Sequence, residues 1–214
     1  MLRVAILCEG QTEREFLSKE LAPLFYSRSL AITPVILVTK RIAAGGVTAD
    51  GGVNFERVCS QLPALLSAFD FVTTFFDLYA FKKLEPGETA SQLENRIAAR
   101  LQQHNRLRPY IQQYEFESLV FAVPNAGAIF GSDALSAKIS AVLSHYQENA
   151  EFINDGAQTA PSVRLKSLFS ELKLGKYDKV ANGTLILKGN LAAVRQACPR
   201  FDQWIRWLES LASS

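Results

Sequence analysis

A chain of 214 residues with 48% hydrophobic and 21% charged content can bury a sizeable core, which excludes a disordered or fibrous protein. Three scattered cysteines without a CxxC pair, and only two histidines, exclude a disulfide framework, a zinc knuckle and a histidine-rich metal centre. No run of about 18 apolar residues occurs, and Met1-Leu2-Arg3 leads straight into an apolar segment rather than a signal peptide, so a cytoplasmic protein without a membrane span is expected.

Val4-Ala5-Ile6-Leu7 has no polar break, as in a parallel strand covered on both faces. Cys8-Glu9-Gly10-Gln11-Thr12-Glu13 follows. There Gly10 supplies a tight turn, Thr12 caps a helix and Glu15 completes a capping box. Glu9 is thus expected on a rigid strand-to-helix lip, suited to holding a cation or handling a proton. Phe16, Leu17, Leu21, Leu24 and Phe25 predict a helix over 13–27 despite Pro23. A second strand is predicted at 35–38. Gly45-Gly46 and Gly51-Gly52 then mark a mobile loop that lacks the lysine of a phosphate-binding P-loop. Lys40 and Arg41 beside it read equally as phosphate contacts or as surface charges.

Phe55, Val58, Cys59, Leu62, Leu65, Leu66 and Phe69 share one helical face, and Phe71–Asp77 reads as a strand ending in an acid. Leu93, Ile97 and Leu101 predict a further helix, and 109–114 a fourth strand. Tyr114-Glu115-Phe116-Glu117 then sets two carboxylates one residue apart, pointing the same way if that segment is a strand. Acids at the ends of successive elements suit Mg²⁺, or Mn²⁺, which prefers a few carboxylates plus waters. The βαβαβαβ order predicts an α/β fold, a Rossmann-like parallel sheet with helices on both faces, over 1–123. From 124 to 214 helical patterns take over, at Leu135, Ile139, Val142 and Leu143 and again at Phe201, Trp204, Ile205, Leu208 and Leu211, predicting a helical C-terminal lobe.

Charge is also uneven along the chain. Residues 1–160 hold 14 Lys/Arg against 17 Asp/Glu, and 161–214 hold 9 against 4. An acidic site region beside a basic lobe suits an enzyme acting on a polyanion such as nucleic acid, and a solvated helical face explains the excess nearly as well.

Glu9 after the first strand and Asp77 after a later one resemble the acidic motifs of TOPRIM domains, the fold of topoisomerase and primase catalytic centres. The resemblance implies Mg²⁺ bound by Glu9 and Asp77 for nuclease or phosphoryl-transfer chemistry. More narrowly, CEGQTE, FFDLY, QQYEFESLVFA, INDG, APSVRL, YDKVANG and CPRFDQWIRWLESL, in that order, resemble family 4276 of the domains of unknown function. One departure matters: many TOPRIM nucleases carry Asp-x-Asp, whereas this chain reads Asp77-Leu78-Tyr79. Three expectations stay open. Glu115 or Glu117 supplies the lost ligand, one metal binds weakly, or catalysis is absent and the chain is a regulatory or adaptor subunit of a neighbouring ATPase in prokaryotic defence.

Each candidate has a plainer role beside the functional one. Glu9 can cap the next helix, Asp77 can start a turn, and Glu115 and Glu117 can decorate a helix start. Arg164 and Lys179 are the expected phosphate contacts from the basic lobe, or ties to acids such as Asp155. Cys8, beside Glu9, has no histidine placed by motif to activate it and reads as a small buried residue.

Overall fold

The computed structural model describes residues 1–38, 40–41, 47–48, 52–154, 156 and 158–212. They fall into two compact units, Met1–Gln112 with the residues from Leu208 onward, and Gln113–Trp207.

The first unit is built on a parallel sheet. Its strands are β1 (Leu2–Cys8), β2 (Leu30–Ile36), β5 (Phe71–Asp77), β6 (Leu107–Arg108) and β7 (Ile111–Gln112). The order is β2-β1-β5-β6, with β7 also pairing with β5. Between β2 and β5 a short antiparallel ribbon pairs β3 (Lys40–Arg41) with β4 (Val47–Thr48). Gly45, Gly46 and Gly51, expected to mark a mobile loop, lie outside the described residues. The helices of this unit are α1 (Gln11–Phe16), α2 (Ala22–Tyr26), α3 (Phe55–Ala68) and α4 (Ala90–Arg100). Val4 to Cys8 are 0% exposed, which is why this central strand reads as an unbroken apolar run.

Local chemistry explains where elements depart from expectation. The predicted 13–27 helix starts at Gln11 and runs through a π turn at Leu17–Leu21 into α2. Pro23 has no N–H for the carbonyl four residues back, and the widened turn just before it accommodates that gap. The second strand is Leu30–Ile36 rather than 35–38, and it contains Pro34. Pro34 is tolerated because β2 is an edge strand, with one side free of the ladder. In place of the predicted fourth strand at 109–114 there are two short strands, β6 before Pro109 and β7 after it. Thr74 bridges the break with its side chain, its hydroxyl donating to the Tyr110 carbonyl at 2.7 Å and accepting from the Tyr110 N–H at 2.9 Å.

The second unit is helical. It contains α5 (Glu117–Phe121), α6 (Asp133–His145), α7 (Pro161–Glu171), α8 (Thr184–Leu187), α9 (Leu191–Ala197) and most of α10 (Pro199–Ala212). Phe121, Leu165, Phe169, Ile186, Phe201 and Trp204 are buried in its core, and the Phe169 ring meets Phe130 and Tyr177 edge-on at 5.1 and 5.2 Å. Glu151, 2% exposed, accepts the backbone N–H groups of Arg200 and Phe201 at 2.9 and 3.1 Å, placing a negative charge at the α10 N-terminus. Among the described residues no helix is long and apolar enough to cross a membrane.

Candidate functional site

The strand order reverses at β1. The chain passes from β1 to β2 on one side, then returns to place β5 on the other. In open parallel sheets such a switch point opens a crevice at the strands' carboxyl ends. Cys8, the last residue of β1, pairs with Phe75, so Glu9 and Asp77 are carried on the carboxyl ends of neighbouring strands at this point. Asp77 is 6% exposed and leads into a tight 3-10 turn, Leu78–Ala80, on which Tyr79 is 46% exposed.

The lip after β1 is built differently from expectation. The helix N-cap is Gly10, not Thr12, and the carboxylate that returns to it is Glu13, accepting the Gly10 N–H at 3.2 Å. Gly10 itself is extended, at φ −156°, a conformation any residue adopts, so no tight turn demands glycine there. Glu15 instead faces outward and pairs with Lys19 at 2.6 Å. Glu13, which the sequence reading passed over, is 3% exposed.

Burial pushes the Cys8 thiol from 9.0 to about 12, with the nearby charges of Glu13 and Glu9 adding to the rise. Desolvation, aided by Glu56, raises Cys59 to about 11, and Cys198, beside Glu151, is raised as well. These thiols stay protonated and poor as nucleophiles. The native protein should therefore resist a thiol reagent such as DTNB at about pH 8, with all three cysteines reacting on unfolding; rapid labelling of Cys8 in the folded state would contradict this. The unfolded chain ionises these groups first. Their contribution to stability is therefore complete below about pH 9 and is lost as pH rises through the folded-state values.

One strand further on, β7 joins β5 in register, with Ile111 opposite Phe76 and Gln112 opposite Asp77. Residues so paired share a face. Continuing the register one rung back sets Tyr110 opposite Phe75, and these two rings stack at 5.7 Å. The Tyr110 hydroxyl donates to the Gln112 Oε1 at 2.7 Å, and the Ile111 N–H donates to Glu94 at 2.8 Å. Gln112 has no exposed surface, and its Nε2 has no hydrogen-bond partner among the described residues.

The remaining candidates belong to the second unit. Glu115 and Glu117 do not share a strand face. Tyr114 takes a left-handed conformation, φ 61°, and ends the extended run, so Glu117 opens α5 while Glu115 precedes it. The two Glu115 oxygens accept from the backbone N–H and the hydroxyl of Ser162, at 2.8 and 3.0 Å, at the start of α7. Glu117, 3% exposed, faces the Lys179 ammonium at 3.7 Å, and that ammonium lies 5.4 Å from the Phe116 ring centre. Tyr177 is buried against this pair, and its hydroxyl has no hydrogen-bond partner among the described residues. Its ionisation is pushed upward by burial and then by Glu117. Gly183 passes so close that an added Cβ would sit 3.1 Å from that hydroxyl. Three segments with motif-like sequences, YEFES, APSVRL and YDKVANG, thus meet within one unit.

Arg164 donates to the Thr159 carbonyl at 2.7 Å and to the Tyr146 hydroxyl at 2.9 Å, with its guanidinium 5.7 Å from the Tyr146 ring centre. Asp155, its expected alternative partner, lies outside the described residues. Within neither unit do three or more described His, Cys, Asp or Glu side chains gather into a metal-holding group. Gln112 and Tyr177 stood in view inside the motifs but carried no signal as isolated polar letters; burial without a partner distinguishes them.

These features define an α/β protein with acids at a sheet switch point and a helical unit holding a buried carboxylate–lysine pair. The model of a domain of unknown function, DUF4276, matches residues 8–209, and the chain belongs to that family. No curated protein and no solved structure matches it.

Proposed function

We propose that this chain is a Mg²⁺-dependent, TOPRIM-like nuclease or phosphotransferase acting on nucleic-acid phosphodiesters. The supporting observation is the position of Glu9 and Asp77 on the carboxyl ends of adjacent parallel strands, where the strand order reverses. The donor set fits the ion, since Mg²⁺ is usually held by one or two carboxylates while water and substrate phosphate complete its shell. Glu9 and Asp77 would hold it. When bound, the ion polarises a phosphodiester and lowers the pKa of a coordinated water. Glu9, partly exposed on its lip, is the group able to take a proton from an attacking water, whereas buried Asp77 serves as an anchor. Lys179 and Arg164 are the proposed phosphate contacts of the basic segment.

A second reading has its own support. Tyr79 occupies the place of the second acid in Asp-x-Asp, and a neutral phenol does not replace a carboxylate as a Mg²⁺ ligand. This favours a regulatory or adaptor subunit that partners a neighbouring ATPase. Calorimetric titration with Mn²⁺, followed by cleavage assays on single-stranded DNA, duplex DNA and RNA with and without that ATPase, separates the two. Metal binding with cleavage of any substrate supports the enzyme; no heat of binding and no cleavage in every combination supports the adaptor.

A further inference from the structure

A buried donor without an acceptor costs about 1–3 kcal/mol, so it persists where a partner arrives or where its neighbours hold it for a purpose. Gln112 is held firmly. Thr74 clamps the Tyr110 backbone, Glu94 fixes the Ile111 N–H, Phe75 stacks on the Tyr110 ring, and the Tyr110 hydroxyl takes the carboxamide oxygen. With Oε1 occupied, the Nε2 end of the amide is turned away from Tyr110. On this face of the sheet the rung after Phe75 and Tyr110 is Asp77 and Gln112, in register on strands about 4.8 Å apart. A carboxylate and a carboxamide so placed share one rung and one face of the sheet.

We propose that Gln112 is the positioning residue for Asp77: its carboxamide N–H, unpaired among the described residues, turns about the anchored Oε1 to donate to one Asp77 oxygen and sets the direction of the other. The consequence for cation binding rests on the metal reading above; the Gln112–Asp77 bond itself does not. A neutral donor suits this place. It fixes an anion without cancelling the charge a cation needs, as partners of metal-ligating side chains do elsewhere. The chain Phe75–Tyr110–Gln112–Asp77 then transmits the rigidity of the buried core to the sheet edge.

Two measurements on the full chain test this. In metal-free, ¹⁵N-labelled protein, Gln112→Met identifies the side-chain amide resonances of Gln112 by their loss. Those resonances should move upfield and exchange faster with solvent in Asp77→Ala, and should lose their fixed environment in Tyr110→Phe. Resonances unmoved by Asp77→Ala would mean that buried water alone satisfies the amide, and would overturn the proposal. In the second measurement, Mn²⁺ titration of Gln112→Met should show about tenfold weaker binding, with the urea midpoint only modestly lowered, because Met keeps the length and packing while one hydrogen bond to Asp77 is lost. Unchanged Mn²⁺ affinity alongside altered stability would reduce Gln112 to a packing residue. A wild type that binds no Mn²⁺ would defeat the metal reading alone, and the amide resonances would still decide the Gln112–Asp77 bond.

Discussion

If the chain is the proposed nuclease, Glu9→Gln should lower phosphodiester cleavage by about a hundredfold or more and leave the fold intact. Glutamine keeps the shape and one acceptor oxygen, yet it removes both the charge that attracts a divalent cation and the capacity to accept a proton. Glu9 follows β1 on a partly exposed bend, so its replacement disturbs no core packing. Asp77→Asn should cost a comparable factor in activity, and being buried it should also alter stability modestly. Initial rates with Mg²⁺ or Mn²⁺, set beside thermal unfolding without metal, check both. Full activity in Glu9→Gln would remove the β1 lip from the chemistry, and a collapse of the melting transition would make Glu9 structural.

The largest effect on stability should come from Lys179. Its replacement by Met takes one positive charge away from Glu117, which is 3% exposed, and should destabilise measurably, by less than the roughly 3–5 kcal/mol of a fully buried pair because the Lys179 side chain is 32% exposed. Charge reversal, Lys179→Glu, sets two carboxylates against each other and should be worse. Loss of nucleic-acid binding in that variant would therefore not by itself reveal a phosphate contact. The informative protein is the double variant Glu117→Leu with Lys179→Met, because replacing both members of a buried pair by apolar groups is often close to neutral. Urea unfolding should show the single variant weakened and the double variant largely restored. If the restored protein binds nucleic acid more weakly, with a shallower salt dependence, Lys179 touches phosphate. Unaltered binding would confine Lys179 to its ion pair, and a single variant as stable as the wild type would show that Glu117 finds another partner.

Much of the fold is legible in the chain because its strongest signals are local. Val4 to Leu7 is apolar without interruption and Phe71 to Phe76 is broken only by the buried Thr73 and Thr74, since each lies inside a sheet covered by helices, and the helical stripes at Leu62 and Leu66 and at Leu93 and Ile97 are buried as their spacing demands. Placing Glu9 and Asp77 at strand ends needed no more than those runs and the letters that close them. What local pattern could not supply is whatever depends on a distant partner. Pro34 is compatible with a strand because β2 is at an edge, and the break at Pro109 is bridged by the Thr74 hydroxyl, which bonds the Tyr110 backbone. Glu115 and Glu117 looked like twins, and the left-handed backbone at Tyr114 separates them before Ser162 and Lys179 give them different partners. Gln112 gained meaning only from its register with Asp77. The sequence alone therefore determined the parallel α/β sheet, the helical remainder and the acids that close two of its strands, because burial periodicity is written residue by residue. Tertiary structure alone decided which carboxylates are capped, which is paired with lysine and which buried amide lies in register with Asp77, because those choices depend on contacts between residues far apart in the chain.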